Sequence, residues 1–330
     1  MLPSRGSFLG SGSFGSVYRG TDAVHGEVAL KVLTQWAGES DPDWRARKDA
    51  LIVEGQRLSD ATHPNVVRVF SVHESPSGDE MTLVLEFCAG GALEGDYQTG
   101  PLAPNKVRNY ATEISLGLNA LHARGMLHRD IKPANVLLDS SGRARVSDFG
   151  LVTNNVVLGY ASEAGYLDHL AYEVHHGKGT SVKTDIWALG MTLYRLLHGH
   201  PWYTASAMPR RSVPAGGFAS KLEWLPHISD AWRRLIRKAM HDDPAHRFQT
   251  MQNVLDALAR IPIAPAWETT IGPATIEWRL ARNDRHYSCI LDRQTKQWEA
   301  NSLPLGPGRK RRLGRSSGLK SLEEFFAAFK

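Results

Sequence analysis

After about residue 87 the hydrophobic pattern changes from strand-like runs to helical spacing, and this change constrains the fold more than any other feature. Up to about residue 87, apolar and β-branched residues form short runs such as SVYRG and EVALKVL, which are typical of strands. The glycine-rich stretch CAGGALEG interrupts the pattern, and from about residue 104 apolar residues recur at helical spacing. We therefore predict an α+β chain with a strand-rich lobe, a glycine hinge and a helix-rich lobe.

One helix is expected inside the strand-rich part. Trp44, Leu51 and Leu58 recur at intervals of seven, and Asp41 is a candidate cap at the start of this segment. Glu54 lies three residues after Leu51 and four before Leu58, so it shares the apolar stripe. An unpaired charge facing inward is very unfavourable, so this glutamate is expected to have a cationic partner.

A proline-punctuated boundary, IPIAPAW at residues 261–267, separates the last 68 residues or so from the rest of the chain. We predict a large unit at 1–262 and a small accessory domain at 263–330. In the latter, TIEWRLAR, HYSCILDR and KQWEA alternate like three strands, GPGRKRRLGRSSG is basic and loop-like, and SLEEFFAAFK predicts a helix capped by Ser321.

Charge and composition narrow the classes of protein. Residues 263–330 contain 12 Lys and Arg against 7 Asp and Glu, so they carry the whole net charge of +5. No apolar run is long enough to span a membrane, and the N-terminus lacks the apolar core of a secretory signal, so we expect a cytoplasmic protein. Cys88 and Cys289 are far apart and predict free thiols. His169, His175 and His176 lack the ligand spacing of a zinc site and are expected to be loop or surface histidines.

The first candidate site is LGSGSFGSVYRG, in which Gly10, Gly12 and Gly15 have the spacing GxGxxG and Val17 follows. Such a segment is compatible with an ordinary turn or with a dinucleotide fold. Here it connects two predicted strands and no helix follows, which argues against the dinucleotide fold. A glycine-rich hairpin allows backbone amides to approach phosphates closely.

The second candidate is Lys31, which lies among apolar strand residues in VALK. An ammonium group in such a place needs a partner, and Glu54 on the following helix is the expected one. The alternative is a lysine whose amine reaches solvent beside a solvated glutamate.

The third candidate combines HRDIKPAN at 128–135 with SDFG at 147–150. Asn135 and Asp148 offer the oxygen ligands that Mg²⁺ prefers. Asp130 is available to orient a hydroxyl and accept its proton, and Lys132 supplies a positive charge. Phosphoryl transfer needs mainly positioning and charge neutralisation, and these groups supply both.

With these motifs in order, residues 1 to about 262 resemble a eukaryotic-like (Hanks-type) protein kinase domain. The resemblance implies a small lobe at about 1–86, a hinge at about 86–91 and a large lobe at about 92–262. It also implies an ATP-dependent serine/threonine kinase that uses Mg²⁺, acts on a protein hydroxyl and phosphorylates itself. The lysine at position 132, two residues after Asp130, is the feature in which the sequence resembles the serine/threonine subclass.

The resemblance also assigns roles to individual residues. The catalytic set would be Asp130, Lys132, Lys31 and Glu54, with Asn135 and Asp148 as metal ligands. The ATP-binding set would be Gly10, Gly12, Gly15, Val17, Ala29, Lys31, Leu85, Glu86 and Cys88, with Leu85 as gatekeeper. The structural set would be Asp185, Glu173 and Arg247, in which Glu173 pairs with Arg247.

The segment GYLDHLAYE, residues 165–173, departs from the pattern GTxxYxAPE of this family. Tyr166 replaces the threonine and Tyr172 replaces the proline, so the acceptor is the uncertain part of the prediction. A kinase-fold phosphotransferase acting on a non-protein acceptor is one alternative, and a pseudokinase binding module tethered to nucleic acid is another. Thr153 and Ser162 are candidate phosphorylation sites that Arg129 could contact. Packing of tyrosines would be the alternative way to order this segment.

The accessory domain leaves two interpretations open. The cations in RKRR at 309–312, with Arg315 and Lys320, could contact nucleic acid, and Trp278, Tyr287 and Trp298 could stack on bases. The segment faintly resembles a WGR-type domain but has only LGR at 313–315. The favoured interpretation is that the aromatic residues form a small core and that the arginines are solvated, or that the domain docks on the large lobe.

Overall fold

The computed structural model describes residues 3–12, 15–60, 62–148, 169–206 and 213–329. Thr153, Ser162 and Tyr166 lie outside these residues, as does the side chain of Glu54. The first lobe contains five strands and one helix: β1 Ser4–Gly12, β2 Gly15–Asp22, β3 Gly26–Thr34, α1 Asp41–Asp60, β4 Val69–Glu74 and β5 Glu80–Glu86.

The five strands of the small lobe form one antiparallel sheet in the order β1-β2-β3-β5-β4. Val17 on β2 lies opposite Lys31 on β3, and Ala29 on β3 lies opposite Leu85 on β5. Because residues directly opposite in a sheet project to the same face, this register places Val17 beside Lys31 and Ala29 beside Leu85.

Helix α1 packs its predicted stripe against this sheet, because Trp44, Leu51 and Leu58 are all buried. Its cap differs from the prediction. Ser40, and not Asp41, caps the helix: its Oγ accepts a hydrogen bond from the Asp43 amide at 3.3 Å, and its carbonyl accepts the first helical bond, from the Trp44 amide.

Within the residues that the structure describes, the second lobe is mainly helical and contains one small antiparallel sheet of three strands in sequence order. Its elements are β6 Gly91–Ala92, α2 Leu93–Thr99, α3 Pro104–His122, β7 Val136–Leu138, β8 Ala144–Val146, α4 Tyr172–His175, α5 Val182–Ala205, α6 Asp230–Ala239 and α7 Met251–Ala259, with short 3₁₀ turns at Pro133–Asn135 and Ala219–Lys221. Helix α5 is kinked at Gly199, whose φ is 70°. Trp187 on α5 and Ile114 on α3 are fully buried at the centre of the core. The predicted bilobal α+β architecture is confirmed.

The C-terminal segment forms a five-stranded antiparallel sheet in the order β13-β12-β11-β10-β9, followed by a helix. Its elements are β9 Glu268–Ile271, β10 Thr275–Arg282, β11 Arg285–Asp292, β12 Gln297–Pro304, β13 Arg311–Ser317 and α8 Leu319–Ala328. Two sequence predictions were wrong here. Most of the basic stretch is strand β13, and Gly318 occupies the N-cap position of α8. The Ser321 hydroxyl instead donates to the Ser317 carbonyl at 2.9 Å and accepts from the Trp298 indole at 2.9 Å.

The aromatic side chains of this segment face the large lobe or their own core. Trp278 is fully buried, and its indole N–H donates to His227 Nδ1 at 2.9 Å. The Phe326 ring lies 5.9 Å from the same imidazole. Arg233 on α6 pairs with Glu323 on α8 at 2.7 Å. The hydrophobic core therefore continues from the large lobe into the C-terminal sheet, and docking is the interpretation that these contacts support.

Across the described parts of the chain, no helix combines the length and the apolar character that a membrane span would need.

Buried histidines give a prediction about acid stability. Burial lowers the pKa of His227 and of His198 to about 3, from an ordinary value of 6.5. The folded protein keeps these rings neutral while the unfolded chain takes up protons, so stability is lost as the pH falls from about 6.5 to about 3. One such histidine accounts for about 2 kcal/mol at pH 5.

We expect the thermal midpoint of the wild type to fall by several degrees more than that of His227→Gln between pH 7 and pH 5, measured by calorimetry, because about 1 kcal/mol shifts Tm by roughly 2–4 °C. Glutamine can keep the acceptor for Trp278 but does not titrate. The exposed His286→Gln serves as control and should follow the wild type. Parallel curves for wild type and His227→Gln would contradict this account.

Candidate active site

A cavity of about 610 Å³ lies between the two lobes. Its walls combine apolar residues of the sheet and hinge with polar residues of the large lobe. Among the predicted site residues, it is lined by Gly10, Gly15, Val17, Ala29, Lys31, Leu85, Glu86, Cys88, Asp130, Lys132, Asn135 and Asp148. The structure therefore brings together groups that are up to 138 positions apart in the sequence.

Lys31 of β3 reaches across the cavity to the large lobe. Its Nζ lies 2.7 Å from Asp148 Oδ1, and the lysine side chain is nearly buried. Desolvation opposes ionisation of Asp148, but the positive groups around it, chiefly the ammonium group of Lys31, together keep the pKa of this carboxyl below its ordinary value. The carboxyl group of Asp148 is therefore ionised at neutral pH. The predicted pairing of Lys31 with Glu54 stays a prediction, because the described side chains do not include Glu54.

Asp130, Lys132 and Asn135 form a compact cluster on the loop that precedes β7. Lys132 Nζ lies 2.7 Å from Asp130 Oδ2. The side-chain amide nitrogen of Asn135 donates to the same oxygen at 2.7 Å and to the backbone carbonyl of Asp130 at 2.8 Å. The 3₁₀ turn at Pro133–Asn135 brings the asparagine back over the aspartate. The aspartate carboxylate is thus held in one orientation at the cavity wall.

The buried carboxylate of Asp185 holds the backbone of this loop. It accepts hydrogen bonds from the amides of His128 at 2.9 Å and Arg129 at 2.8 Å, and from His122 Nε2 at 2.8 Å. Arg129 has a φ of 69°, a conformation that is unfavourable for residues other than glycine. We infer that the hydrogen bonds of Asp185 stabilise this turn and so place the next residue, Asp130.

His128 connects the loop to the segment that bears Asp148. It is buried, and its Nε2 lies 2.8 Å from the Ser147 carbonyl. Burial lowers the pKa of His128, so the ring is neutral and Nε2 carries the proton that it donates to this carbonyl. Nδ1 then accepts from the Asp130 amide at 3.3 Å. One imidazole therefore fixes the spacing between Asp130 and Asp148.

The hinge is fixed to the large lobe by an ion-pair network. Glu86 at the end of β5 accepts from Arg145 on β8 at 3.1 Å, and Arg145 also donates to Asp139 at 2.9 Å. Burial raises the pKa of Cys88 to about 12, which agrees with a small packed thiol. Arg145 and Asp139 were not singled out from the sequence, because charges on a β-hairpin are common and nothing in their spacing indicates a partner.

Glu173 and Arg247 form a bidentate ion pair at the base of the segment that follows residue 168, with N–O distances of 2.7 and 2.6 Å. Both side chains are buried. Tyr172, which precedes this glutamate, packs its ring 4.3 Å from that of His176. His169 was expected to be a loop or surface histidine, and it is not at the surface. Its ring is buried and its Nδ1 lies 2.9 Å from the Ile131 carbonyl, so it supports the loop that bears Asp130.

The oxygen atoms of this site fit a hard divalent cation. The Asn135 amide uses its nitrogen for Asp130, which leaves the amide oxygen for a cation, and Asp148 is ionised. Mg²⁺ prefers such oxygen ligands and usually takes few of them from the protein, the rest coming from phosphates and water. Asn135 and Asp148 are the residues that would hold the ion.

Comparison with known families decides the class. The family model of the protein kinase domain matches residues 4–257, which include every element of the two lobes except the last residues of α7. This chain belongs to the protein kinase family. The Hanks-type resemblance predicted from the motifs is confirmed.

Three relatives illustrate the similarity of this kinase to known ones. Mitogen-activated protein kinase kinase kinase YODA of Arabidopsis thaliana is 30% identical over 319 residues, which cover 92% of this chain and 35% of that protein. Serine/threonine-protein kinase PrkC of Bacillus subtilis is 30% identical over 256 residues, 74% of this chain and 38% of PrkC. Serine/threonine-protein kinase ssp1 of Schizosaccharomyces pombe is 29% identical over 300 residues, 81% and 44% respectively. The chain thus spans less than half the length of these relatives.

The buried pair in this kinase generates a stability prediction. Removing one partner of a buried ion pair leaves the other charge uncompensated and costs about 3–5 kcal/mol. We expect Arg247→Ala to lower the free energy of unfolding by this amount, measured by urea denaturation, and Arg247→Ala combined with Glu173→Ala to cost less than the sum of the two single changes. The exposed Arg234→Ala is the control and should change stability by less than about 0.5 kcal/mol. An additive double variant would contradict the pairing.

Proposed function

We propose that this protein is a serine/threonine protein kinase that transfers the γ-phosphate of ATP to a protein hydroxyl in the presence of Mg²⁺. The observation that carries the proposal is the convergence of Lys31, Asp130, Lys132, Asn135 and Asp148 on one cavity. Two carboxylates, an amide and two ammonium groups meet there, which is the set that phosphoryl transfer needs for positioning and for charge neutralisation.

The residues have separate tasks in this proposal. Asp130 orients the acceptor hydroxyl and takes its proton, because its carboxylate is fixed by Asn135 and Lys132 at the cavity wall. Lys132 lies 2.7 Å from that carboxylate, close enough to neutralise charge that develops on the transferred phosphoryl group. Mg²⁺ held by Asn135 and Asp148 would neutralise phosphate oxygens when bound.

We assign nucleotide binding to the part of the cavity wall that is formed by the β1–β2 hairpin, strands β3 and β5 and the residues that follow β5. Gly10 and Gly15 leave the β1–β2 hairpin open to the cavity, and a Cβ at Gly15 would clash with the Val32 carbonyl. Backbone amides there can approach phosphates closely. Ala29 and Leu85 provide apolar surface for a base, together with Val17, Glu86 and Cys88. Lys31 holds phosphates, and its pairing with Glu54 belongs to this proposal.

The catalytic roles predict the effect of two substitutions. We expect Asp130→Asn to lower kcat by about 10²–10⁴-fold, because it removes the base while keeping the size of the side chain. We expect Asp148→Asn to abolish measurable turnover at ordinary Mg²⁺ concentrations, because it removes a negatively charged ligand and leaves Lys31 without this counter-ion. The measurement is ADP release in the presence of a protein acceptor.

Asp256→Asn is the matched control, since this exposed carboxylate on α7 lies outside the cavity lining, and its activity should equal that of the wild type. A wild type that releases no ADP and labels no protein would contradict the proposed function. ADP release with small molecules but never with proteins would instead favour the alternative of a non-protein acceptor. That alternative was suggested by Tyr166 and Tyr172, of which the structure describes only the second.

A second candidate function, a nucleic-acid tether, concerns the C-terminal unit. Strand β13 is an edge strand with exposed Arg311, Arg312 and Arg315, and Arg309 and Lys310 precede it. These cations could neutralise phosphates of a nucleic acid. Base stacking by the tryptophans is not supported, because Trp278 and Trp298 are buried. A tether would therefore act by charge and without sequence preference.

Salt dependence tests the tether. If it exists, the full chain binds single- or double-stranded DNA with an affinity that falls steeply with salt, and each lost phosphate contact reduces the slope of log K against log salt by about 0.7–0.9. Charge reversal in Arg311→Glu/Arg312→Glu should then reduce the slope by about 2, measured by fluorescence anisotropy. Arg234→Glu on the large lobe is the control. Binding with equal slopes in all three proteins, or no binding, would remove this candidate.

Several finer assignments stay predictions within this proposal. They are the boundary between residues 262 and 263, autophosphorylation at Thr153 or Ser162, and the cytoplasmic location.

A further inference from the structure

We propose that Gly55 is a positioning residue for phosphoryl transfer, because its lack of a side chain sets how closely helix α1 approaches strand β4. The proposal rests on the proposed function, in which the neighbouring Glu54 of α1 pairs with Lys31. In a protein kinase this helix must lie at the correct distance from the sheet, because the lysine–glutamate pair forms only at that distance.

The close approach is local and steric. A Cβ atom at Gly55 would lie closer than 3.0 Å to Cγ2 of Val72 on β4, and 3.6 Å from its Cβ. Gly55 is four residues after Leu51 and three before Leu58, and all three are buried. A glycine inside a helix costs about 1 kcal/mol relative to alanine. The contact with Val72 gives a reason for a residue that is otherwise unfavourable here.

Strand β4 cannot easily move away from an added methyl group. Val72 is β-branched, so few rotamers are open to it, and it lies opposite Leu83 on the neighbouring β5. Leu83 belongs to the small cluster, with Trp44 and Leu51, that joins α1 to the sheet. A displacement of the strand would therefore disturb the same cluster that holds the helix.

The N-terminal half of α1 is also fixed. The Arg47 guanidinium lies 3.9 Å from the ring centre of Trp36 and 4.4 Å from that of Trp44. It donates to both carboxylate oxygens of Glu39 at 2.7 Å and to the Thr34 carbonyl at 2.8 Å. These contacts anchor the helix to the end of β3, so a methyl group at the glycine would displace the C-terminal half of the helix. The adjoining glutamate lies there.

A small displacement is expected to have a large catalytic effect, because a misplacement of about 1 Å can lower a rate by about 10²-fold. The steric cause also predicts its own rescue. Shortening Val72 to alanine removes the Cγ2 atom that the new methyl group would meet. The helix can then return to its original distance from the sheet, although the sheet loses some packing.

The experiment measures kcat and KM for ATP, with casein as the protein acceptor, for the wild type, Gly55→Ala, Val72→Ala and the double variant. We expect Gly55→Ala to lower kcat at least about tenfold and the double variant to recover most of this loss. The double variant should nevertheless have a lower Tm than the wild type, because the valine methyl groups are lost. Restored activity at reduced stability separates positioning from a merely structural role.

Gly95→Ala is the matched control, because Gly95 lies in helix α2 and an added Cβ there would meet nothing within 4 Å. Its kcat should equal that of the wild type. In a Glu54→Gln background, Gly55→Ala should cause little further loss. The inference is overturned if an active wild type keeps its kcat in Gly55→Ala, or if Val72→Ala gives no rescue. An inactive wild type would overturn the proposed function together with it.

Discussion

The ion pair between Lys31 and Asp148 is the contact on which the rest of the site depends. It joins the central strand region of the small lobe to the large lobe across the cavity, at 2.7 Å. A nearly buried ammonium is tolerated only beside a compensating charge, so the two lobes must present these groups together. Asp185 and His128 then fix the loop that carries Asp130 relative to this pair. The geometry of the site is thus held by charged groups and a neutral imidazole, and apolar packing surrounds them.

Much of this arrangement was predictable from the sequence because the chemistry occurs in short motifs. HRDIKPAN and SDFG each place their functional residues within eight positions, and the change from strand to helix spacing gave the two-lobed α+β fold correctly. The stripe of Trp44, Leu51 and Leu58 on α1 was also correct, since burial requires that periodicity. The ion pair of Lys31 with Asp148 was not foreseen, because it depends on how two lobes meet across 117 positions.

The features that the sequence did not predict also depend on contacts between distant segments. The β13 strand contains arginines, glycine and serines, which have no strand pattern of their own, and it forms because β12 offers an edge. His169 was expected to be a loop or surface histidine because a zinc-ligand pattern is missing from the sequence, yet its ring is buried and hydrogen-bonds to the Ile131 carbonyl. Docking of the C-terminal unit was among the favoured interpretations, but its contacts, such as those of His227 with Trp278 and Phe326, join distant segments and were not foreseen. Such contacts become visible only when the elements are placed in space.

The central claim is that these groups transfer a phosphoryl group from ATP to a serine or threonine. The most direct measurement is tandem mass spectrometry of a protein acceptor, and of the chain itself, after incubation with ATP and Mg²⁺. The account predicts phosphoserine or phosphothreonine after reaction with the wild type, and labelling at least about 10²-fold slower with Asp130→Asn. Phosphate found on neither residue type although the nucleotide is consumed, or equal labelling by Asp130→Asn, would contradict it.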